Sequence, residues 1–141
     1  MKKKWPIRTL LVLLCMVMLC SIPAYAAEAR ASDRIYHSAV SLSKKSTGDL
    51  SVYFSVQATD VMEKIGASSV EIQRSSGNGW TTEYTFTISN TPTLQRENKD
   101  QHGMVLTYSP LFTGKEYRAV VMIYVKDATG RSTQQLISNV I

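Results

Sequence analysis

Apolar and polar residues alternate along several segments of the chain, and the alternation is clearest over residues 50–57. There the apolar set is Leu50, Val52, Phe54 and Val56, separated by Ser51, Tyr53, Ser55 and Gln57. Successive side chains of a strand point to opposite faces, so this pattern predicts a strand with one buried face. The same pattern predicts a strand over residues 80–88, with one face carrying Trp80, Thr82, Tyr84, Phe86 and Ile88.

Shorter apolar runs predict five further strands, over residues 36–42, 70–72, 104–108, 119–125 and 136–141. Turn-forming residues separate many of these segments, and Gly and Asn in them supply the positive φ angles that tight hairpins need. These turns lie at residues 47–49, 77–79, 113–115 and 129–130. Seven short strands at this spacing predict an all-β fold, a seven-stranded antiparallel β-sandwich.

Two segments depart from the alternation. In residues 59–69, Asp60 and Glu63 have capping-box spacing and Gly66 could follow a helix end, so a single helical turn or an irregular loop is expected. Residues 89–103 contain Pro92 and a charged run from Arg96 to Asp100, which predicts a long solvated loop.

The N-terminus has the composition of a cleavable signal peptide. Three lysines and Arg8 precede an apolar run over residues 10–20, which as a helix would span only about 16 Å, too short for a bilayer core of about 30 Å. Ala24 and Ala26 are the small residues that signal peptidase requires, so cleavage is expected after Ala26. Cys20 follows Leu rather than a small residue, which argues against lipid attachment, and no stable membrane anchor is expected.

Removal of residues 1–26 changes the charge and cysteine content. Four of the 16 basic residues and both cysteines lie there, leaving 12 basic against 11 acidic residues and a net charge of +1. A near-neutral chain without a basic cluster gives no electrostatic basis for nucleic-acid binding. The remaining 115 residues suit one domain without disulfides. The expected organisation is a signal peptide over 1–26, a flexible segment over 27–34 and a β-sandwich over 35–141.

Residues 111–123 resemble the tyrosine-corner region of fibronectin type III domains. The shared pattern is Leu111, two residues, Gly114, one residue, Glu116 and Tyr117, then apolar residues at alternate positions. The resemblance extends over about residues 36–140 and implies a divergent fibronectin type III or immunoglobulin-like sandwich, with Phe54 where the family usually has Trp. It also implies that the Tyr117 hydroxyl bonds an upstream backbone group. The whole chain looks like short exported proteins of Gram-positive bacteria, which implies no activity.

Candidate catalytic chemistry is sparse. After Ala26 the only histidines are His37 and His102, no Ser lies in a nucleophile elbow, and no metal-ligand or phosphate-loop spacing is present. Both histidines are interpreted as solvated surface residues. We therefore expect no enzyme activity, no cofactor and no metal.

The expected function is a secreted or envelope-associated, non-catalytic binding module for an unknown protein partner or for self-association. A candidate interaction face carries Val120, Met122 and Tyr124, which make the outer side of a strand apolar where water normally meets polar residues. The alternative is that neighbouring side chains cover them. A second hypothesis is a carbohydrate-binding module, possible ligand a cell-wall glycan, that stacks sugars on Trp80, Tyr84 or Tyr53; burial of Trp80 and Tyr84 in the core is favoured over that role.

Overall fold

The computed structural model describes residues 34–141, which form an all-β fold, as predicted. The strands are β1 (Ile35–Lys44), β2 (Leu50–Ser75), β3 (Trp80–Thr87), β4 (Gln95–Tyr108), β5 (Tyr117–Asp127) and β6 (Gly130–Ile137), with a 3₁₀ turn at Pro92–Leu94. The predicted signal peptide, its cleavage site and residues 27–33 lie outside the described residues.

One long strand organises the sheet. β2 has 26 residues, against a typical strand length of about 3–10. β1 pairs with residues 50–58 of β2, and β4 pairs with residues 50–57 and 62–66 on the other side. β5 and β3 pair with the second half of β2, over residues 64–75. β6 then pairs with β5, and every pairing is antiparallel. Because β2 belongs to both groups of strands, the antiparallel sheet curls into a half-barrel.

A side chain links β1 to the segment after β6. The Asn139 amide donates to the Leu42 carbonyl at 2.8 Å and accepts from the Leu42 backbone N–H at 2.9 Å. These two bonds satisfy the Leu42 carbonyl and N–H in the way that the backbone of a neighbouring strand would. They help to close the curl on that side.

Six strands are present among the described residues instead of the predicted seven, because the segments predicted at 50–57 and 70–72 are parts of β2. The helical turn or irregular loop expected at residues 59–69 is wrong. Asp60 accepts from the adjacent Val61 N–H at 2.7 Å, and Glu63 pairs with Lys126 at 2.9 Å, so neither caps a helix. This segment contains the shift in register between β2 and β4.

Gly66 lies inside β2 rather than beyond a helix end. Its φ is +146°, and a Cβ there would collide with the carbonyl oxygen of Leu94. The close approach of the Pro92–Leu94 turn therefore requires glycine at this position. Leu94 is fully buried, so this contact anchors the start of β4.

The long loop predicted at residues 89–103 is also wrong. Residues 88–90 form a turn, the 3₁₀ turn follows at Pro92–Leu94, and β4 begins at Gln95 with the charged run exposed on it. Residues 95–99 pair with β2 on one side and with no strand on the other among residues 34–141. An edge segment with both faces in water can be polar at every position, which removes the alternation that marks a strand.

Because of a β-bulge in β3, Trp80 does not lie on the predicted face of the strand. Ile72 pairs with Tyr84 but the next residue, Gln73, pairs with Thr82, so Glu83 is the extra residue. Trp80 therefore lies opposite Ser75 on the outer side, while Phe86 lies opposite buried Val70. Trp80 is only partly buried and Tyr84 is 40% exposed, so neither belongs to the buried core.

Candidate functional site

An open groove of about 600 Å³ lies on the layer formed by β1, the first half of β2 and β4. We call it the groove. It is lined by His37, Tyr53, Ser55, Val56, Gln57, Arg96, Lys99, Gln101, His102 and Gly103. Both histidines of residues 34–141 are among the lining residues, but His37 pairs with exposed Gln57 and His102 pairs with buried Val56.

Strand register explains how the groove is built. His37 on β1 and Gln101 on β4 both lie opposite Gln57 of β2, so three hydrogen-bonding side chains form a row on the outer face. Gly103 lies opposite Ser55 and has no side chain to fill the surface there. A Cβ on Gly103 would lie 3.6 Å from the Tyr53 hydroxyl, so this hydroxyl lies close to the glycine.

His102 lies at the inner edge of the groove, in β4 and not in a loop. Its ring meets the Phe54 ring edge-on at 5.9 Å between centroids, and its Nε2 is 2.9 Å from the Thr93 carbonyl oxygen. Because a carbonyl can only accept, Nε2 carries the proton in this contact. Burial, with a smaller contribution from the positive charge of Arg96, lowers the pKa of His102, which favours the neutral ring.

Two cations complete the lining. Arg96 and Lys99 are exposed, and the lining contains no carboxylate. The ion pairs found among residues 34–141 join Arg34 to Asp127, Arg74 to Glu83 and Lys126 to Glu63, so neither groove cation takes part. The groove therefore combines positive charge, amide groups and an exposed aromatic ring.

A second group of polar side chains lies at the tyrosine predicted to be structural. We call Arg74, Glu83, Tyr108, Phe112 and Tyr117 the corner cluster. The Glu83 side chain, only 4% exposed, accepts from Arg74 Nε at 2.6 Å and from the Tyr108 hydroxyl at 3.2 Å. The Arg74 guanidinium lies 4.3 Å from the centre of the Phe112 ring. The bulge at Glu83 turns this carboxylate inward.

The Tyr117 hydroxyl faces two acceptors in the corner cluster. It lies 3.0 Å from the Phe112 carbonyl oxygen and 3.2 Å from Glu83 Oε1. A phenol has one proton, so it donates to one acceptor at a time or shares the proton between them. Burial and the negative charge of Glu83 raise the pKa of Tyr117. Leu111 is 76% exposed and Gly114 has φ +68°, so both belong to the surface loop before β5.

The face predicted from β5 is largely covered. Val120 is only 7% exposed, between Glu71 of β2 and Ile137 of β6, and Met122 and Tyr124 are half-buried. On the same face Arg118 lies 4.4 Å from the Trp80 ring centre and donates to Gln73 at 2.9 Å. Val120 therefore offers almost no surface to a partner.

The sequence prediction missed the groove as a site. Of its lining residues, the sequence indicates only Tyr53 and the histidines as functional candidates, the histidines for catalysis. It predicts a loop for Arg96 and Lys99. A sequence signal for their position was Gly103 beside the alternating run at residues 104–108, since a strand can extend through a glycine into an exposed charged edge.

Comparison of the chain with protein-family models, with curated proteins and with solved structures gives no match. Within residues 34–141, no helix is long and apolar enough to cross a membrane. No three His, Cys, Asp or Glu side chains of this region come together as a metal-binding group.

Proposed function

We propose that this protein is a secreted or envelope-associated, non-catalytic binding module that takes its ligand in the groove. The observation that carries the proposal is an open concave surface of about 600 Å³ that is lined by exposed cations, exposed amides and an exposed tyrosine. Ligand sites typically have volumes of about 300–1,000 Å³ and a few convergent polar groups.

The non-catalytic assignment is supported by the contacts of the two histidines. Within the described residues, neither His37 nor His102 is hydrogen-bonded to a Ser hydroxyl or to a carboxylate, and the His102 Nε2 is bonded to a backbone carbonyl. A general base needs a neighbouring nucleophile and an orienting group within hydrogen-bond reach. The groove is better suited to holding a ligand than to changing it.

The proposal includes a divergent fibronectin type III-like sandwich as the scaffold. Counting the two halves of β2 separately gives seven strands in two groups, which is the strand number of this sandwich class. The bond between the Tyr117 hydroxyl and the Phe112 carbonyl supports the same assignment, because the resemblance implies an upstream backbone acceptor.

A test of ligand binding compares washed cells and wall fractions of the native host as targets. Labelled wild-type protein should cosediment with one of them, and Tyr53→Ala should weaken cosedimentation. Tyr36→Ala is the matched control, because Tyr36 is 73% exposed but does not line the groove. Equal effects of the two substitutions would contradict the proposal.

Export is tested by the N-terminus of the protein recovered from the medium. If residues 1–26 are a signal peptide, that protein begins at Ala27. Recovery of intact Met1, or of a lipid on Cys20, would contradict this part of the proposal.

A second candidate function is association with a protein or a second copy through the β5 face. It is favoured by half-buried Met122 and Tyr124, which lie beside charged side chains in a composition typical of interfaces. Sedimentation at high concentration tests it, with Met122→Thr as the variant that should weaken association. A monomer at all concentrations, together with unchanged protein capture by the variant, would exclude it.

A further inference from the structure

We propose that the ligand of the groove is an acidic saccharide. One sugar ring lies on Tyr53, and carboxylate or sulfate groups of the saccharide lie at Arg96 and Lys99. The inference rests on the proposed function of the groove and adds the chemical class of the ligand.

The positive charge of the groove favours an anionic ligand. Arg96 and Lys99 are both exposed, have no ion-pair partner among residues 34–141, and line a surface without a carboxylate. Glu97 and Asp100 belong to the same charged run but do not line the groove, so the charged side chains of the lining are the two cations. A neutral ligand would leave both without a counter-charge.

The shape of the groove favours a ring over a small ion. Tyr53 is 44% exposed and its hydroxyl lies close to Gly103, so the groove has an exposed aromatic side chain beside a residue without one. Sugar rings have an apolar C–H face that packs on aromatic side chains, whereas a bare oxyanion gains nothing from such a surface. The volume of about 600 Å³ also far exceeds the space that one oxyanion fills.

The polar row across the strands matches the remaining groups of a sugar. His37, Gln57 and Gln101 lie side by side in register on the outer face, and Gln57 and Gln101 are exposed. An amide presents both donors and an acceptor, which is what neighbouring hydroxyls require. The strands already hold the backbone of these three residues in place, so little of it must become ordered when a ligand binds.

The experiment is a calorimetric titration of the processed protein with heparin hexasaccharide and with hexagalacturonate. Maltohexaose is the neutral oligosaccharide of equal length, and sodium sulfate is the free anion. We expect at least one acidic hexasaccharide to bind at least about tenfold more tightly than maltohexaose and sulfate, a difference equivalent to about 1.4 kcal/mol. Binding should weaken as salt is raised, because exposed charges are screened.

Two variants separate charge from stacking. Arg96→Gln with Lys99→Gln should weaken acidic binding about tenfold or more, whereas Lys115→Gln with Arg131→Gln removes the same charge outside the groove and should change it less than about twofold. Tyr53→Ala should weaken binding by about fivefold or more, and Tyr36→Ala should not. Urea melts of each variant establish that it is folded.

Four outcomes would contradict the inference or the proposed function. Equal affinity for maltohexaose and the acidic sugars would show that charge does not determine ligand recognition. Sulfate binding as tightly as a hexasaccharide would show that the ligand is not recognised as a saccharide. Failure of all these sugars to bind, while host-surface binding still depends on Tyr53, would overturn this inference and leave the proposed function standing. Host-surface binding that ignores the groove variants would defeat the proposed function itself.

Discussion

The corner cluster and the groove both contain charged and aromatic side chains, but they differ in how those side chains are partnered. In the corner cluster Glu83 accepts from Arg74 and Tyr108, and the Tyr117 hydroxyl lies within reach of two acceptors. In the groove Arg96 and Lys99 have no ion pair within residues 34–141. The first cluster uses its chemistry to hold strands together, and the second has chemistry available for a ligand.

Burial is the physical reason for the difference. The Glu83 side chain is 4% exposed, and a buried carboxylate is stable only when it is hydrogen-bonded and paired. The groove cations are exposed, so water solvates them in the absence of a ligand. Residue type alone therefore does not separate a structural cluster from a binding site.

The largest expected effect comes from truncating Tyr117. Tyr117→Ala should lower the free energy of unfolding by about 3–5 kcal/mol, because it leaves a cavity where a buried ring packed. Tyr117→Phe keeps the ring and should cost about 0.5–1.5 kcal/mol through the lost hydrogen bond. Urea melts measure both values. Equal stability of Tyr117→Phe and wild type would remove the tyrosine-corner assignment.

The next effect concerns the charge at the centre of the corner cluster. Glu83→Gln keeps the shape but weakens the bonds from Arg74 and Tyr108, so we expect a loss of about 1.5–3 kcal/mol. Chemical denaturation measures it, and ligand binding in the groove should be unchanged while the protein is folded. Thr82→Ser, at an exposed neighbouring position, is the control. If Glu83→Gln left the free energy of unfolding unchanged, this carboxylate would not be structural.

A smaller effect is expected from pH at the inner edge of the groove. The pKa of His102 is lowered in the folded state, so the folded protein resists protonation more than the unfolded chain does. Stability is therefore full above the ordinary histidine pKa of about 6.5 and falls as pH drops through the lower folded value. Unfolding curves between pH 7.5 and 5 should show this loss, and His102→Asn should flatten it. His37→Asn, which changes an exposed histidine, is the control. A pH profile identical in His102→Asn and wild type would contradict the assignment.

The smallest stability effect should come from the groove cations. Arg96→Gln with Lys99→Gln should change the free energy of unfolding by no more than about 0.5 kcal/mol, because exposed side chains without ion pairs hold nothing together. Thermal or urea melts against wild type suffice. A loss as large as that of Glu83→Gln would mean that the groove is a structural cluster too, and the contrast between the two regions would disappear.

The local pattern determined the fold class and several elements. Alternation over residues 50–57 predicted the first half of β2, because one of its faces is buried along its whole length. The strand after Tyr117 was also predicted, and β5 has its buried residues at the expected alternate positions, including Ala119 and Ile123. Gly114 at positive φ fits the turn predicted before that strand. All of these features depend on residues close together in sequence.

Only the tertiary structure decided the features on which the proposed function depends. The continuity of β2 depends on pairing with β4 and β5, the bulge at Glu83 appears only in the register against β2, and Gly66 is needed because the distant Leu94 approaches it. The groove likewise needs β1 and β4 on either side of β2, which brings His37 and Gln101 to the same residue, Gln57. Side-chain alternation gives the two faces of each strand, but pairing between strands far apart in sequence decides which residues become neighbours.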